Sequence, residues 1–123
     1  MPVRLQLIPT LRYENAPAAI DFLCDGFGFV RHAVFANADD PSRIDHAELR
    51  HGDCVLMLGS AVASPWAEQA PLRSVREAGG NTQSIYVVID DVDAHAARAI
   101  PKAMPGRSAA TTRPRDAALS WRC

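Results

Sequence analysis

The sequence predicts an α+β fold in which a strand–cap–helix unit occurs twice. The first observation is an order of strand, helix and three further strands, indicated by apolar periods of two and of about 3.6 residues. The second is an internal repeat, since residues 8–20 and 84–96 share the strand–cap–helix pattern at an offset of 76. The third is the long connection 59–83, rich in Gly, Pro, Ser and Ala, which separates the two copies.

The first unit opens with an apolar strand and a helix. Residues 5–13, LQLIPTLRY, are rich in β-prone residues, and Pro9 suits the edge or the start of such a strand. Asn15 is a suitable helix N-cap, and Pro17 fits the first turn. Apolar residues at helical spacing and glycines at the end complete the helix, namely Ile20, Leu23, Phe27, Gly26 and Gly28.

Three strands are predicted after this helix. Residues 29–36 form the first of them, and residues 54–60, CVLMLGS, form the last, which is apolar enough to be buried on both faces. Between them, IDHAELR alternates two sets of side chains. One face carries Ile44, His46, Glu48 and Arg50, and the other carries Asp45, Ala47 and Leu49.

Length and composition indicate one domain over residues 1–123, with 48% hydrophobic and 22% charged residues. No run approaches the roughly 18 apolar residues of a membrane span, and the net charge of −1 argues against a nucleic-acid partner. The three cysteines fit no zinc or redox spacing, and no signal peptide is visible. We therefore expect a cytoplasmic protein with reduced cysteines and no membrane partner.

Within this domain we expect a first module at 4–61, a linker at 62–83 and a second module at 84–123. The second module begins with a strand and an acid-capped, alanine-rich helix, on which His95 is expected to be exposed. The tail after that helix has few large apolar residues, so it offers only poor strands such as AATTR and AALSW. The second module is therefore expected to be incomplete.

Three segments of the chain resemble the vicinal oxygen chelate superfamily, which includes glyoxalase I, bleomycin-resistance proteins and extradiol dioxygenases. They are IPTLRYENAPAAIDFLCDGFGF, HAELRHGDCVLML and SIYVVIDDVDAHAARA, and they are most similar to the PhnB-like, glyoxalase-like branch. The resemblance implies tandem βαβββ modules with curled mixed sheets around a cleft. It also implies that two chains often pair, and we expect a homodimer.

The resemblance implies a metal ligand on the first and the fourth strand of each module in metal-dependent members. These positions fall on Ile8, Met57 and Ser84 in this sequence. Ile8 has no donor atom, and the thioether of Met57 is a soft ligand unsuited to nickel, zinc or magnesium. A shift by one residue adds only Gln83 as an oxygen donor. We therefore predict no metal and no cofactor, which argues against glyoxalase I and ring-cleaving dioxygenase activity.

His46 and Glu48 are the candidate catalytic residues, since they share one strand face about 6–7 Å apart. A histidine and a carboxylate at this reach can act as a general base with its orienting partner, or supply two ligands of a non-standard metal site. The alternative is a hydrated strand face, or one that serves fold or dimer contacts. His51, by the following turn, is expected on the other face.

Other residues are candidates for ligand binding, and each has a structural alternative. Arg12 can hold an anionic group, or can simply pair with a surface acid. Trp66 lies in the linker, where it can cover a flat aromatic ligand or plug the space between the modules. The complete set of ligand-binding candidates is Arg12, Tyr13, Met57, Trp66 and Tyr86.

Three functions are compatible with these residues. The leading one is metal-independent binding of a small, partly apolar ligand, in the manner that the resemblance to bleomycin-resistance proteins implies. The second is a lyase or isomerase that uses a non-standard metal or the pair of His46 and Glu48. The third is an inactive, truncated member of the superfamily. Whether the chain is an enzyme stays open at this stage.

The tail also differs in charge from the rest of the chain. Residues 1–95 carry 7 Lys+Arg and 13 Asp+Glu, a net charge of −6, whereas residues 96–123 carry 6 Lys+Arg and one Asp, a net of +5. An Ala-, Arg-, Pro- and Thr-rich end is typical of a GC-rich gene read out of frame, so a frameshift is one hypothesis and a genuine basic tail is the other. Resequencing the gene across codons 90–123 tests this, and a clean frame without a downstream continuation contradicts the frameshift.

Overall fold

A computed structural model describes residues 3–62, 72–99, 110–112 and 118–121, and it has the predicted mixed α+β architecture. The first module comprises β1 (Thr10–Tyr13), α1 (Ala16–Phe27), β2 (Val30–Ala36), β3 (Ile44–His51) and β4 (Cys54–Ser60). The second part comprises α2 (Val75–Ala78), β5 (Ile85–Val88), α3 (Val92–Ala99), β6 (Ala110–Thr112) and β7 (Ala118–Trp121). In the described residues, no helix is long and apolar enough to cross a membrane.

The first sheet has the strand order β1-β4-β3-β2, with β1 parallel to β4 and the other pairs antiparallel. This is the βαβββ module that the resemblance implies. The opening strand is shorter than the predicted 5–13, since β1 begins at Thr10. The carbonyl of Pro9 accepts a hydrogen bond from the Met57 N–H at 2.9 Å, but Pro9 has no N–H with which to extend the ladder.

Helix α1 forms where the sequence predicts it and supplies five of the thirteen buried core residues described. The side chain of Asn15 accepts a hydrogen bond from the Ala18 N–H at 3.1 Å, and Gly28 ends the helix with a φ of 80°. Its buried residues pack against the inner face of the first sheet. Among the residues whose burial is described, the largest fully buried side chains are those of Phe27, Leu11, Leu23, Leu49, Leu56 and Leu58.

Two predictions about the sidedness of these strands were wrong. Strand β4 is not buried on both faces, because Val55 and Met57 are only half-buried. Ile44 was predicted on the same face as His46. Ile44 is instead only 5% exposed and belongs to the core. The backbone N–H of Ile44 donates to the buried Ser60 hydroxyl at 2.9 Å, and the alternation along β3 begins only after this point.

The second sheet has the order β5-β7-β6, and both of its pairs are antiparallel. The tail segments predicted to be poor strands are the ones that form β6 and β7. The described residues therefore show three strands in this sheet against four in the first. The described partner of β5 is antiparallel, whereas the partner of β1 is parallel, so the strands described in the second part do not repeat the arrangement of the first sheet.

The described part of the linker, residues 72–83, contains a helix that the sequence pattern did not indicate. This short helix, α2, is capped by the hydroxyl of Ser74. Ser74 is 2% exposed and also donates to the carboxylate of Glu14 at 3.3 Å. This contact ties the second half of the linker to the end of β1.

The two modules meet where α3 packs against α1. The guanidinium of Arg98 donates from Nε to the Asp25 carbonyl at 2.9 Å and from Nη2 to the Cys24 carbonyl at 3.3 Å. These carbonyls lie in the last turn of α1, where that of Cys24 also accepts a hydrogen bond from the N–H of the capping Gly28 at 3.2 Å. Ala99 is fully buried in the same core as Phe27. Arg98, a residue of the second module, therefore caps the C-terminal end of α1.

His95 lies in this junction, so the expectation that it is exposed was wrong. Its ring contacts that of Phe27 at a centroid distance of 5.1 Å, and its Nε2 is buried without a hydrogen-bond partner in the described part of the chain. Burial lowers the pKa of His95, and the nearby charges of His51 and Arg98 lower it further. Protonation of His95 is therefore unfavourable in the folded state.

Acid is expected to destabilise the fold through His95. Because its pKa is lower in the folded chain than the ordinary value of 6.5, the unfolded chain takes up this proton at the higher pH. The free energy of unfolding should therefore decline as the pH falls below about 6.5. His95→Phe, which keeps a ring against Phe27, should make the decline shallower in urea denaturation between about pH 7.5 and 5.

His32 provides the matched control, since it is exposed on β2. His32→Phe should leave the decline as steep as in the wild type. An equally steep decline in His95→Phe would contradict the role of the junction.

Candidate functional site

The first sheet has a covered face and an open one. Ala47 and Leu49 of β3 are fully buried on the α1 side, and Arg31 of β2 pairs with Asp21 of α1 on the same side. We call the opposite side the open face; it carries Arg12, Phe35, His46, Glu48, Met57 and Gly59. The strand register aligns these residues, pairing Glu48 with Met57, His46 with Phe35, and Arg12 with Gly59.

His46 and Glu48 lie together on the open face, as the alternation of the strand predicts. The Nε2 of His46 is 3.2 Å from the Oε1 of Glu48, so the two side chains form a hydrogen bond along β3. They remain accessible, with 42% of the His46 side chain and 29% of the Glu48 side chain exposed. A carboxylate in this position fixes the orientation of the imidazole. His51 points to the other side, as predicted, where its ring contacts Phe29.

Phe35 is a member of the site that the sequence did not reveal. Its ring stacks on that of His46 with a centroid distance of 6.3 Å and an interplanar angle of 26°. It is 59% exposed, although it is a large apolar residue. The two rings give the open face a flat surface of the kind on which planar molecules stack. The signal in the sequence was an aromatic residue directly across the sheet from His46, visible only once the register of β2 is known.

Arg12 lies across the open face above Gly59. A β-carbon at Gly59 would collide with the Nη1 of Arg12, so the missing side chain leaves the space that the guanidinium fills. Arg12 is half-buried, and Leu11 before it is buried in the core. Among the residues that the structure describes, no carboxylate forms an ion pair with Arg12. The alternative role of Arg12, pairing with a surface acid, is therefore not seen among them.

The remaining ligand-binding candidates are divided between several places. Met57 lies on the open face beside Glu48, where a bound ligand could contact it. Tyr13 does not, because it packs partly against the core. Tyr86 is 52% exposed on β5, on the side away from the core-packed Ile85 and Val87. Trp66 lies outside the described residues.

The residues at the metal positions of the superfamily do not fit a hard divalent ion. Ile8 precedes β1 and is 38% exposed, and the residue that pairs with Met57 on β1 is Thr10. A thioether, an alkyl chain and a hydroxyl are a poor donor set for such an ion. Among the described residues, no group of three or more His, Cys, Asp and Glu side chains is arranged to hold a metal ion.

The fold and the open face agree with one family of proteins. The family model described as glyoxalase/bleomycin resistance protein/dioxygenase superfamily matches residues 6–119, nearly the whole chain. The chain belongs to this superfamily. The match confirms the resemblance to vicinal oxygen chelate proteins, although it does not distinguish the PhnB-like branch. It does not specify an activity, because one scaffold of this kind carries many.

Three solved structures are similar in fold to this chain. The bleomycin-binding protein of Streptomyces verticillus, crystallised with copper(II)-bleomycin, has a TM-score of 0.55 and 20% identity, covering 91% of this chain and 79% of its own. TioX from Micromonospora sp. ML1 has a TM-score of 0.54 and 23% identity, with coverages of 91% and 81%. The Arabidopsis thaliana gene product At5g48480 has a TM-score of 0.53 and 11% identity, with coverages of 93% and 80%.

At these identities the three structures support the fold alone. No curated protein matches the chain. The choice between a binding protein and an enzyme therefore depends on the residues of the open face.

Proposed function

We propose that this superfamily member is a metal-independent binding protein for a small, partly apolar ligand, which it holds on the open face. The observation that carries the proposal is the stacked pair of Phe35 and His46 beside Met57 and Glu48. Binding sites for small molecules combine apolar surface with a few placed polar groups, and this surface has both. A planar part of the ligand would stack on Phe35, and Glu48 and His46 would accept or donate hydrogen bonds at its rim.

Two further points support a ligand of this kind. The donor set at the metal positions is soft or aliphatic, so the ligand would be held by stacking and hydrogen bonds instead of by a resident metal. A neighbour in fold is a bleomycin-binding protein that was crystallised with copper(II)-bleomycin, which supports a binding role for a protein of this fold. We propose a cytoplasmic location, and membership of the PhnB-like branch stays a prediction.

We further propose that the protein is a homodimer. A single sheet covers a ligand from one side only, whereas a small-molecule site encloses most of its ligand. In the described part of the chain, helices α1 and α3 pack on the core and not on the open face, and Tyr86 and Val88 are also exposed, by 52% and 74%. A second copy would cover the ligand and these apolar side chains together.

The hydrogen bond between His46 and Glu48 favours one alternative, a lyase or isomerase. In that case the imidazole would remove a proton from a carbon or oxygen of the substrate, and Glu48 would stabilise the imidazolium that results. A site that only binds needs no such orientation. The alternative of an inactive, truncated chain predicts neither ligand binding nor turnover.

Binding should be measurable with copper(II)-bleomycin and with naphthalene-2-carboxamide as a simple flat probe. A ligand at 100 times its dissociation constant raises the free energy of unfolding by about 2.7 kcal/mol, which raises the melting temperature. Phe35→Ala should weaken binding up to about tenfold, because it removes the stacking surface. Val34→Ala, on the same strand, is the matched control and should retain the affinity of the wild type.

Metal content separates the binding protein from the metal-dependent alternative. After incubation with nickel, zinc and manganese and desalting, tag-free protein should retain no stoichiometric metal. Metal retained at one equivalent and lost in His46→Ala or Glu48→Ala would contradict metal independence. The absence of binding by both organic probes would contradict the proposed function itself.

Light scattering at micromolar concentration tests the homodimer. The expected mass is about twice the 13.3 kDa of one chain. Because the exposed apolar side chains would be covered by the second copy, Phe35→Ala should also shift the mass towards that of a monomer, whereas Val34→Ala should not. A monomeric mass for the wild type contradicts the dimer.

A further inference from the structure

We propose that Arg12 is the anion-recognising group of the open face, so that the ligand is a flat molecule bearing a carboxylate or a similar planar anion. This inference rests on the proposed function and names the chemical class of its ligand. It depends on three features of the described residues, namely the position of the guanidinium, its lack of an acidic partner, and the charges at the other end of the face.

The position of the guanidinium is set by the strand register. Arg12 pairs with Gly59 across the parallel β1–β4 ladder, so both residues present the same face of the sheet. The Nη1 of Arg12 occupies the space of a β-carbon at Gly59, and the carbonyl of Asp45 is 3.1 Å from that same point. The guanidinium therefore lies over the sheet between β1 and β3, where it is half-buried, instead of extending into solvent.

The lack of an acidic partner among the described residues, together with partial burial, distinguishes Arg12 from the other arginines described. Arg31 pairs with Asp21, Arg43 with Asp45, and Arg76 with Glu14. Arg98 donates to backbone carbonyls. Arg50 is also on the open face, but it is exposed beside the β3–β4 turn. In the described part of the chain, Arg12 is thus the half-buried guanidinium whose planar donors remain available to a planar anion.

The other end of the open face carries the opposite charge. Glu48 and Arg12 are separated by strand β4 and by two residues along it, which places their Cα atoms roughly 12 Å apart. Met57 lies between them on β4, and His46 and Phe35 continue the row of Arg12 and Gly59 across the sheet. The carboxylate of Glu48 would repel an anion, and Arg50 on the same strand is exposed to solvent, whereas the half-buried guanidinium of Arg12 would attract it. The face therefore fixes the orientation of the ligand, with its anion at Arg12 and its flat, apolar body across Met57.

A matched pair of probes tests this inference in the full-length protein. Naphthalene-2-carboxylate and naphthalene-2-carboxamide have the same ring system and differ in charge. By calorimetric titration at low ionic strength, the carboxylate should bind about tenfold more tightly, since charge-assisted hydrogen bonds are stronger than neutral ones. Arg12→Gln should reduce this ratio to about one while the carboxamide affinity is retained.

Two more variants separate the charge of Arg12 from its placement. Arg12→Lys keeps the charge but loses the fork of donors, so the ratio should lie between those of the wild type and Arg12→Gln. Gly59→Ala leaves Arg12 in the sequence but displaces its guanidinium, and it should also lower the ratio. Arg31→Gln, on the covered face of the same sheet, is the matched control and should keep the ratio of the wild type.

The outcomes distinguish this inference from the proposed function. Equal binding of both probes to the wild type would overturn the role of Arg12 and leave the proposed function intact. A preference for the carboxylate that survives in Arg12→Gln would overturn it as well. If neither probe binds to the wild type, the proposed function fails and this inference fails with it.

Discussion

The two-residue period of β3 is the constraint on which the rest of the first module depends. Ala47 and Leu49 are fully buried against α1, and this fixes the direction of every other side chain in the strand. A shift by one residue would bury His46 and Glu48 under the helix and expose the two apolar residues. The cost of burying an imidazole and a carboxylate without partners excludes that register. His46 and Glu48 therefore face away from the core because Ala47 and Leu49, which alternate with them, are buried in it.

The contact between the modules is of a different kind, because it satisfies backbone groups as well as burying apolar surface. Arg98 binds the last carbonyls of α1, and Ala99 enters the core around Phe27. The end of one helix is thus completed by a side chain of the other. His95 shares this place and leaves a buried nitrogen without a partner. The junction is therefore both well connected and sensitive to charge, and both properties depend on the same turn of α3.

Sequence periodicity was sufficient to place the helix and strands of the first module and the polar pair, since a strand has the same side-chain period whatever surrounds it, but it did not indicate α2. It did not reveal Phe35, because β2 contains two register shifts, between Arg31 and Ala33 and between Phe35 and Ala36, that interrupt the alternation. The relation of Arg12 to Gly59 was hidden for another reason. These residues are 47 positions apart and become neighbours only through the pairing of β1 with β4. Burial of His95 likewise depends on a contact between modules that local pattern does not contain.

The pairing of β1 with β4 also has a consequence for how the chain folds during its synthesis. The first strand must wait until Met57 and Leu58 have been made before it can join the sheet, so the nascent chain carries an unpaired apolar strand for some forty residues. Once β4 is complete, the whole βαβββ module can close without the second module. The last turn of α1 and the ring of Phe27 then remain uncovered until α3 leaves the ribosome, and this interval is when the nascent chain is most open to recognition by chaperones.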